Sequence, residues 1–192
     1  MPRQESRTVP PGQRLVPDMP VQHYGRVPTL DRHTWTLTLA GETEGEARVV
    51  TWEDLQELPQ VTLLADQHCV SKLTQQDVEW TGVLVRDVVE LAPPRSGIEH
   101  TLVSAEYGYS SSVGLADLLS PRSLLATHRQ GEPLSAERGG PVRLVLPHLY
   151  GFKGPKWVRE IAYVPAPVRG FWEQRGYHLV ADVWRQERYA YQ

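Results

Sequence analysis

The sequence predicts an α+β fold of mixed β-sheets with short peripheral helices, on three observations. Stretches of alternating or continuous apolar residues at strand length outnumber the helical ones. No helical stretch is long, because proline or glycine closes each of them early. No internal repeat, heptad or low-complexity tract is present that would impose another architecture.

Residues 1–20 are proline-rich and charged, without periodicity, and read as an extended arm; residues 21–192 read as one domain. TWTLTLA (34–40) alternates apolar and polar residues and reads as a strand, with Gly41 turning the chain toward RVVT (48–51). Thr51 then stands before WEDLQEL, whose early carboxylates suit the first turn of a helix capped by a hydroxyl. Pro59 follows, and VTLLAD (61–66) reads as a buried strand leading to Cys69. VLVRDVVELA (83–92) places Val85, Val88 and Val89 at helical spacing until Pro93 and Pro94 stop it. HTLVSAEYGYSSSV (100–113) reads as a strand with a small-residue tail, GLADLLS as a short helix, and SLLATH (123–128) as a strand. PVRLVLPH (141–148), entered through Gly139 and Gly140, is the most strand-like element, and WVREIAYV (157–164) repeats the pattern. The aromatic tail from Gly170 onward lacks periodicity and reads as a segment draped over the core.

At 192 residues the chain can bury one substantial core. A formal charge of -3 offers no basic field for nucleic acid, and no apolar run approaches the roughly 18 residues needed to cross a bilayer. A single cysteine excludes an internal disulfide, and MPRQESRTVPPGQRLVPDMP has charge and proline where a signal peptide needs an apolar centre, so a cytoplasmic protein is expected. Only Lys72, Lys153 and Lys156 are lysine among the 20 basic residues, which makes the two lysines of GFKGPKW conspicuous.

Two features carry chemistry. Cys69 ends an apolar stretch, where a lone thiol is either a buried side chain or a metal ligand and nucleophile. The absence of asparagine and of a CGSCW-like sequence counts against a papain-type triad. In GGPVRLVLPHLYGFKGPKWVREI (139–161), glycines bracket a strand and its following loop while Arg143, Lys153 and Lys156 set three cations around it. Such a loop suits a phosphate, or else is a hairpin with a solvated basic turn. Phosphate loops, dinucleotide fingerprints, nucleophile elbows and H-E-x-x-H helices are missing, and the 7 histidines are dispersed without ligand spacing.

The order of HYGRVP, HCVSK, VEWTGVLVRDVV, EYGYSSS, GEPL, GGPVRLVLPHLYGFKGPKWV, GFWEQRGYH and ERY resembles the molybdopterin-binding domain of the sulfite oxidase superfamily, especially its small stand-alone members. YGFKGPK is also similar to the matching loop of the bacterial methionine sulfoxide reductase catalytic subunit. The resemblance covers about residues 20–191. It implies a molybdenum-molybdopterin cofactor, with one pterin dithiolene and with Cys69 as the protein's thiolate to the metal. Arg143 and Lys156 would grip the terminal phosphate, with Lys153 and Gly154 in the same loop. His23, Tyr24, His68 and Arg138 fall at or beside the pterin, and Tyr109 falls in a loop bordering the metal. Lys72, three residues after the cysteine, would favour an anionic substrate if it faces the metal, or is a solvated turn residue.

The function so implied is two-electron oxo transfer on a small sulfur-containing or oxyanionic substrate, with electrons exchanged through a separate redox partner. Leu73, YSSSVG and Arg138 depart from family patterns around the pocket, which keeps open an inactive molybdopterin-binding or storage protein. A metal-free thiol sensor built on Cys69 is a third possibility.

Overall fold

A computed structural model describes residues 8–191; residues 1–7 of the expected arm and Gln192 lie outside the described residues. In chain order the elements are β1 (Arg14–Leu15), β2 (Thr36–Gly41), β3 (Arg48–Thr51), α1 (Trp52–Glu57), β4 (Gln60–Cys69), β5 (Leu73–Leu84), α2 (Val85–Val89), β6 (His100–Ala105), β7 (Ser110–Gly114), α3 (Leu115–Leu118), β8 (Leu124–Arg129), β9 (Glu132–Pro133), β10 (Arg143–Val145) and β11 (Val158–Val164). The class is α+β, as the residue pattern predicts.

Two sheets form. The first is organised on β5, which pairs with β4 along most of its length, with β1 at Leu73 and Thr74, and with β8 from Trp80 to Leu84; β8 in turn carries β10 and β9. The second runs β3-β2-β11-β6-β7, with β2 and β11 parallel and the other pairs antiparallel. Their facing sides make the main core: Leu37, Leu39, Val103 and Ile161 of the second sheet meet Val83, Leu125 and Leu144 of the first, each fully buried. Each such side chain contributes about 1.5–3 kcal/mol by leaving water. Trp35 is buried in this core and its indole Nε1 donates to the Val158 carbonyl at 2.9 Å, so the large ring carries no unpaired donor.

Local chemistry explains the short helices. Thr51 Oγ1 accepts from Asp54 N at 3.1 Å while Asp54 Oδ2 accepts from Thr51 N at 2.9 Å, a reciprocal cap that starts α1 where the sequence places it. Helix α2 is shorter than the 83–92 stretch predicted, because Val83 and Leu84 stay in β5.

Three other elements differ from expectation. β5 itself was not foreseen, since Gln75, Gln76 and Asp77 interrupt its apolar alternation and Asp77 takes φ 54° opposite an irregular register at Ala65 and Gln67. The 100–113 stretch is a hairpin rather than one strand: it reverses at Glu106–Gly108, where Tyr107 takes φ 57°. β10 and β11 do not form the hairpin that is the alternative to a phosphate loop. They belong to different sheets, so residues 146–157 are the crossing between sheets, and this bends the glycine- and lysine-bearing loop over the end of β4. Residues 8–20 are extended but docked, with Met19 4% exposed.

Candidate cofactor site

Cys69 is the last residue of β4 and pairs with Leu73 of β5. The three residues between them close a tight hairpin: Lys72 N donates to the Cys69 carbonyl at 3.1 Å and Lys72 takes φ 69°. This turn presents the half-buried thiol to a cavity of about 360 Å³. Ser71 Oγ donates to Cys69 Sγ at 3.0 Å, and Sγ donates to Gln22 Oε1 at 3.3 Å. The same turn leaves Lys72 exposed and outside the cavity lining, so its expected place beside the metal is not where the structure puts it.

Cations border the same cavity. Arg143 on β10 is 6% exposed, donates through Nη1 to the Arg138 carbonyl at 3.1 Å, and has a buried Nε with no hydrogen-bond partner among the described residues. Its guanidinium lies 5.3 Å from the Trp80 ring centroid, and Arg129 lies 5.8 Å from the same ring. Lys156 Nζ donates to the main-chain carbonyls of Gln22 at 2.7 Å and Glu137 at 2.6 Å. Asp18 is shared between Arg129 at 2.7 Å and Arg138 at 2.8 Å. Burial, then the like charges of Arg143 and Arg138, push the Lys156 ammonium down to about 7; burial with Arg129 and Arg138 pushes Arg143 down to about 10. Positive charge is therefore in excess here, and an anion with several acceptor oxygens relieves it.

Lys153 is corrected by the structure. It is fully buried, donates to Glu173 Oε1 at 2.6 Å and to the Leu179 carbonyl at 2.7 Å, and does not line the cavity. Glu173 also accepts from Ser111 Oγ and Ser112 N, so this ion pair fastens the aromatic tail to β7 and the crossing loop rather than reaching for a phosphate. Gly154 does line the cavity, but its lack of a side chain is needed elsewhere: a Cβ would collide with the Leu144 carbonyl of β10.

The remaining predicted residues converge. His68 is buried with Nδ1 at 2.9 Å from Thr74 Oγ1, and burial pushes its pKa down, which keeps the ring neutral near pH 7. His23 and Tyr24 lie on the cavity wall, His23 edge-on to Trp157 at 6.4 Å and Tyr24 against Phe171 at 4.5 Å. Tyr109 lines the cavity too, stacked 5.7 Å from Phe171, but its hydroxyl is committed to the Phe152 carbonyl at 2.6 Å. As a reacting phenol it is therefore poorly placed.

The tail supplies what the sequence reading did not pick out. Tyr177 lines the cavity with its ring fixed between Trp172 at 4.9 Å, Phe152 at 5.1 Å and Tyr189 at 5.4 Å, and its hydroxyl makes no hydrogen bond among the described residues. Burial, with the neighbouring Tyr189 and Cys69, raises its pKa, so it stays a phenol and a donor. Gln22, Ser71 and Trp172 are not singled out by the sequence reading either, although Gln22 adjoins His23, Ser71 falls two positions after Cys69 in HCVSK and Trp172 falls in GFWEQRGYH.

The donor set fits the implied cofactor: one free thiol suits a soft metal, and an orphaned buried guanidinium Nε within a cation cluster suits a phosphate.

Comparison with known proteins agrees. Residues 24–172 match the family model described as the oxidoreductase molybdopterin binding domain. The chain is 36% identical over 188 residues to the uncharacterized oxidoreductase YuiH of Bacillus subtilis, covering 97% of this chain and 94% of that protein. It is 25% identical over 181 residues to the mitochondrial sulfite oxidase of Homo sapiens, covering 79% of this chain and 33% of that enzyme. It is 29% identical over 151 residues to the protein-methionine-sulfoxide reductase catalytic subunit MsrP of Xanthomonas axonopodis pv. citri, covering 71% of this chain and 47% of that one. The sulfane dehydrogenase SoxCD of Paracoccus pantotrophus shares the fold, with a TM-score of 0.70 at 23% identity over 77% of this chain and 42% of its own. With the thiol, the cation cluster and the two-sheet fold all in place, the chain belongs to the molybdopterin-binding oxidoreductase family.

Proposed function

We propose that the chain uses a molybdenum-molybdopterin cofactor for two-electron oxo transfer on a small sulfur-containing or oxyanionic substrate, exchanging electrons with a separate protein in the cytoplasm. The observation that carries the reading is one cavity lined both by the free thiol of Cys69 and by Arg138, Arg143 and Lys156. When bound, the cofactor supplies a redox centre that exchanges an oxygen atom with substrate.

The chain's own residues do the rest. Cys69 holds the metal as a thiolate, a soft donor delivered by the tight turn at the end of β4. Arg143 and Lys156 hold the phosphate end, Arg143 through its free Nε and Lys156 once its carbonyl contacts are shared or exchanged. Tyr177, rather than Tyr109, is the phenol free to donate to a substrate oxygen, and the packed rings of Phe171, Trp172 and Tyr177 limit water around it.

The test is elemental analysis together with fluorescence of oxidised pterin released on denaturation, on the purified protein and on Cys69→Ser. Molybdenum and pterin in the first, with loss or alteration of the molybdenum signal in the folded variant, are expected. Unchanged molybdenum spectroscopy in Cys69→Ser refutes the ligand assignment. A protein that holds the cofactor but oxidises or reduces neither sulfite nor any S-oxide fits a binding or storage role instead.

A further inference from the structure

Residues 13–22 lie ahead of the segment matched by the family model, 24–172, yet they grip the Cys69 hairpin at several points. Gln13 Nε2 donates to the Cys69 carbonyl at 3.2 Å, Arg14 N to the Lys72 carbonyl at 2.9 Å and Val16 N to the Thr74 carbonyl at 2.9 Å. Asp18 then bridges Arg129 and Arg138, and Met19 is buried with its N–H on Gln75 Oε1 at 2.8 Å. The strap is thereby held before it reaches Gln22. Gln22 touches both ends of the site: its side chain meets Cys69 Sγ at 3.3 Å and its main-chain carbonyl accepts from Lys156 Nζ at 2.7 Å.

We propose that Gln22, held by this strap, is a positioning residue that donates a hydrogen bond to the Cys69 thiolate while its backbone fixes Lys156. The inference rests on the cofactor reading above. Against the free thiol, Oε1 accepts the S–H. A metal-bound cysteine has no such proton, and a carboxamide turned end for end puts Nε2–H where Oε1 stood with no change of shape. Ser71 Oγ–H, 3.0 Å from Sγ, is the second donor. Two donors draw electron density from the sulfur, weaken its donation to the metal and so raise the metal's reduction potential.

The experiment compares molybdenum-loaded wild type with Gln22→Glu, Gln22→Leu, Ser71→Ala and Ser71→Thr by redox titration monitored by electron paramagnetic resonance, alongside molybdenum content, pterin content and Tm. Gln22→Glu keeps the size of the side chain and the main-chain carbonyl on Lys156, so a purely structural role is preserved in it, whereas the donor becomes an anion. The expected result is a lower molybdenum midpoint potential in Gln22→Glu than in Gln22→Leu, both below wild type. Ser71→Ala is also lowered and Ser71→Thr restored. Loss of molybdenum from folded, pterin-bearing Gln22→Glu supports the role equally. A midpoint shared by wild type and Gln22→Glu at equal metal content overturns it, whatever happens to Tm. Wild type devoid of molybdenum and pterin instead removes the reading on which it stands, and the inference with it.

Discussion

Replacing Lys153 by alanine should damage the fold before it damages the site. The ammonium and the Glu173 carboxylate are 1% and 0% exposed and 2.6 Å apart, so removing the lysine leaves an uncompensated buried carboxylate. Glu173 keeps Ser111 Oγ at 3.2 Å and Ser112 N at 3.1 Å as donors, which offsets part of the loss but not the missing charge. Breaking a buried pair in this way costs about 3–5 kcal/mol, and at about 2–4 °C per kcal/mol for a domain of this size the Tm should fall by about 6–20 °C. Removing both charges in Lys153→Met/Glu173→Gln should recover more than half of that fall, because no ion is then stranded in the interior. Calorimetry of the metal-free proteins, followed by pterin content of the loaded ones, is the measurement. A destabilisation below about 1 kcal/mol, the worth of a surface pair, refutes the buried staple. So does cofactor loss at unchanged Tm, which returns Lys153 to the phosphate site.

Arg143→Ala and Lys156→Ala should each weaken pterin retention through dialysis by roughly 1.5–3 kcal/mol, whereas Arg48→Ala on β3, which is outside the cavity lining and whose partner Asp54 on α1 is 3.8 Å away, should not; equal retention in all three disproves the phosphate site. Sulfate binding to the metal-free protein should weaken as pH rises through about 7, because Lys156, faced by Arg143, Arg138 and Glu137, then loses the proton that an anion favours. Lys156→Arg should carry sulfate binding unchanged above that pH, and a flat wild-type profile measured by calorimetric titration contradicts the assignment. Lys72→Glu should change the KM for sulfite by less than about twofold at either low or high salt, since an exposed charge outside the cavity is screened; a larger salt-sensitive rise would place Lys72 back at the substrate.

Much of this molecule is legible from local chemistry alone. The Thr51 cap, the prolines after α2 and the alternation in β2 and β11 are properties of short stretches; α1, β2 and β11 form where their residues predict, and α2 forms within the longer stretch predicted for it. Cys69, as the only thiol, could be singled out without any structure, and the ordered blocks around it sufficed for the family. Lys153 and Lys156 show where that legibility ends. They stand three positions apart in one glycine-containing loop and are chemically identical, yet one is buried against Glu173 and the other borders the cavity. Tyr109 and Tyr177 divide in the same way, one hydroxyl taken by a carbonyl and the other without a hydrogen bond among the described residues.

What the sequence by itself determined is the set of parts: strand and helix segments, one thiol, a basic glycine-rich loop and an aromatic tail. What only the tertiary structure decided is which parts face each other. Lys153 meets Glu173 20 positions away, Cys69 Sγ meets Gln22 47 positions away and Lys156 meets Gln22 134 positions away. Propensity and periodicity act over a turn or a strand, whereas burial and ion pairing act between segments that meet only once the two sheets have closed on their common core.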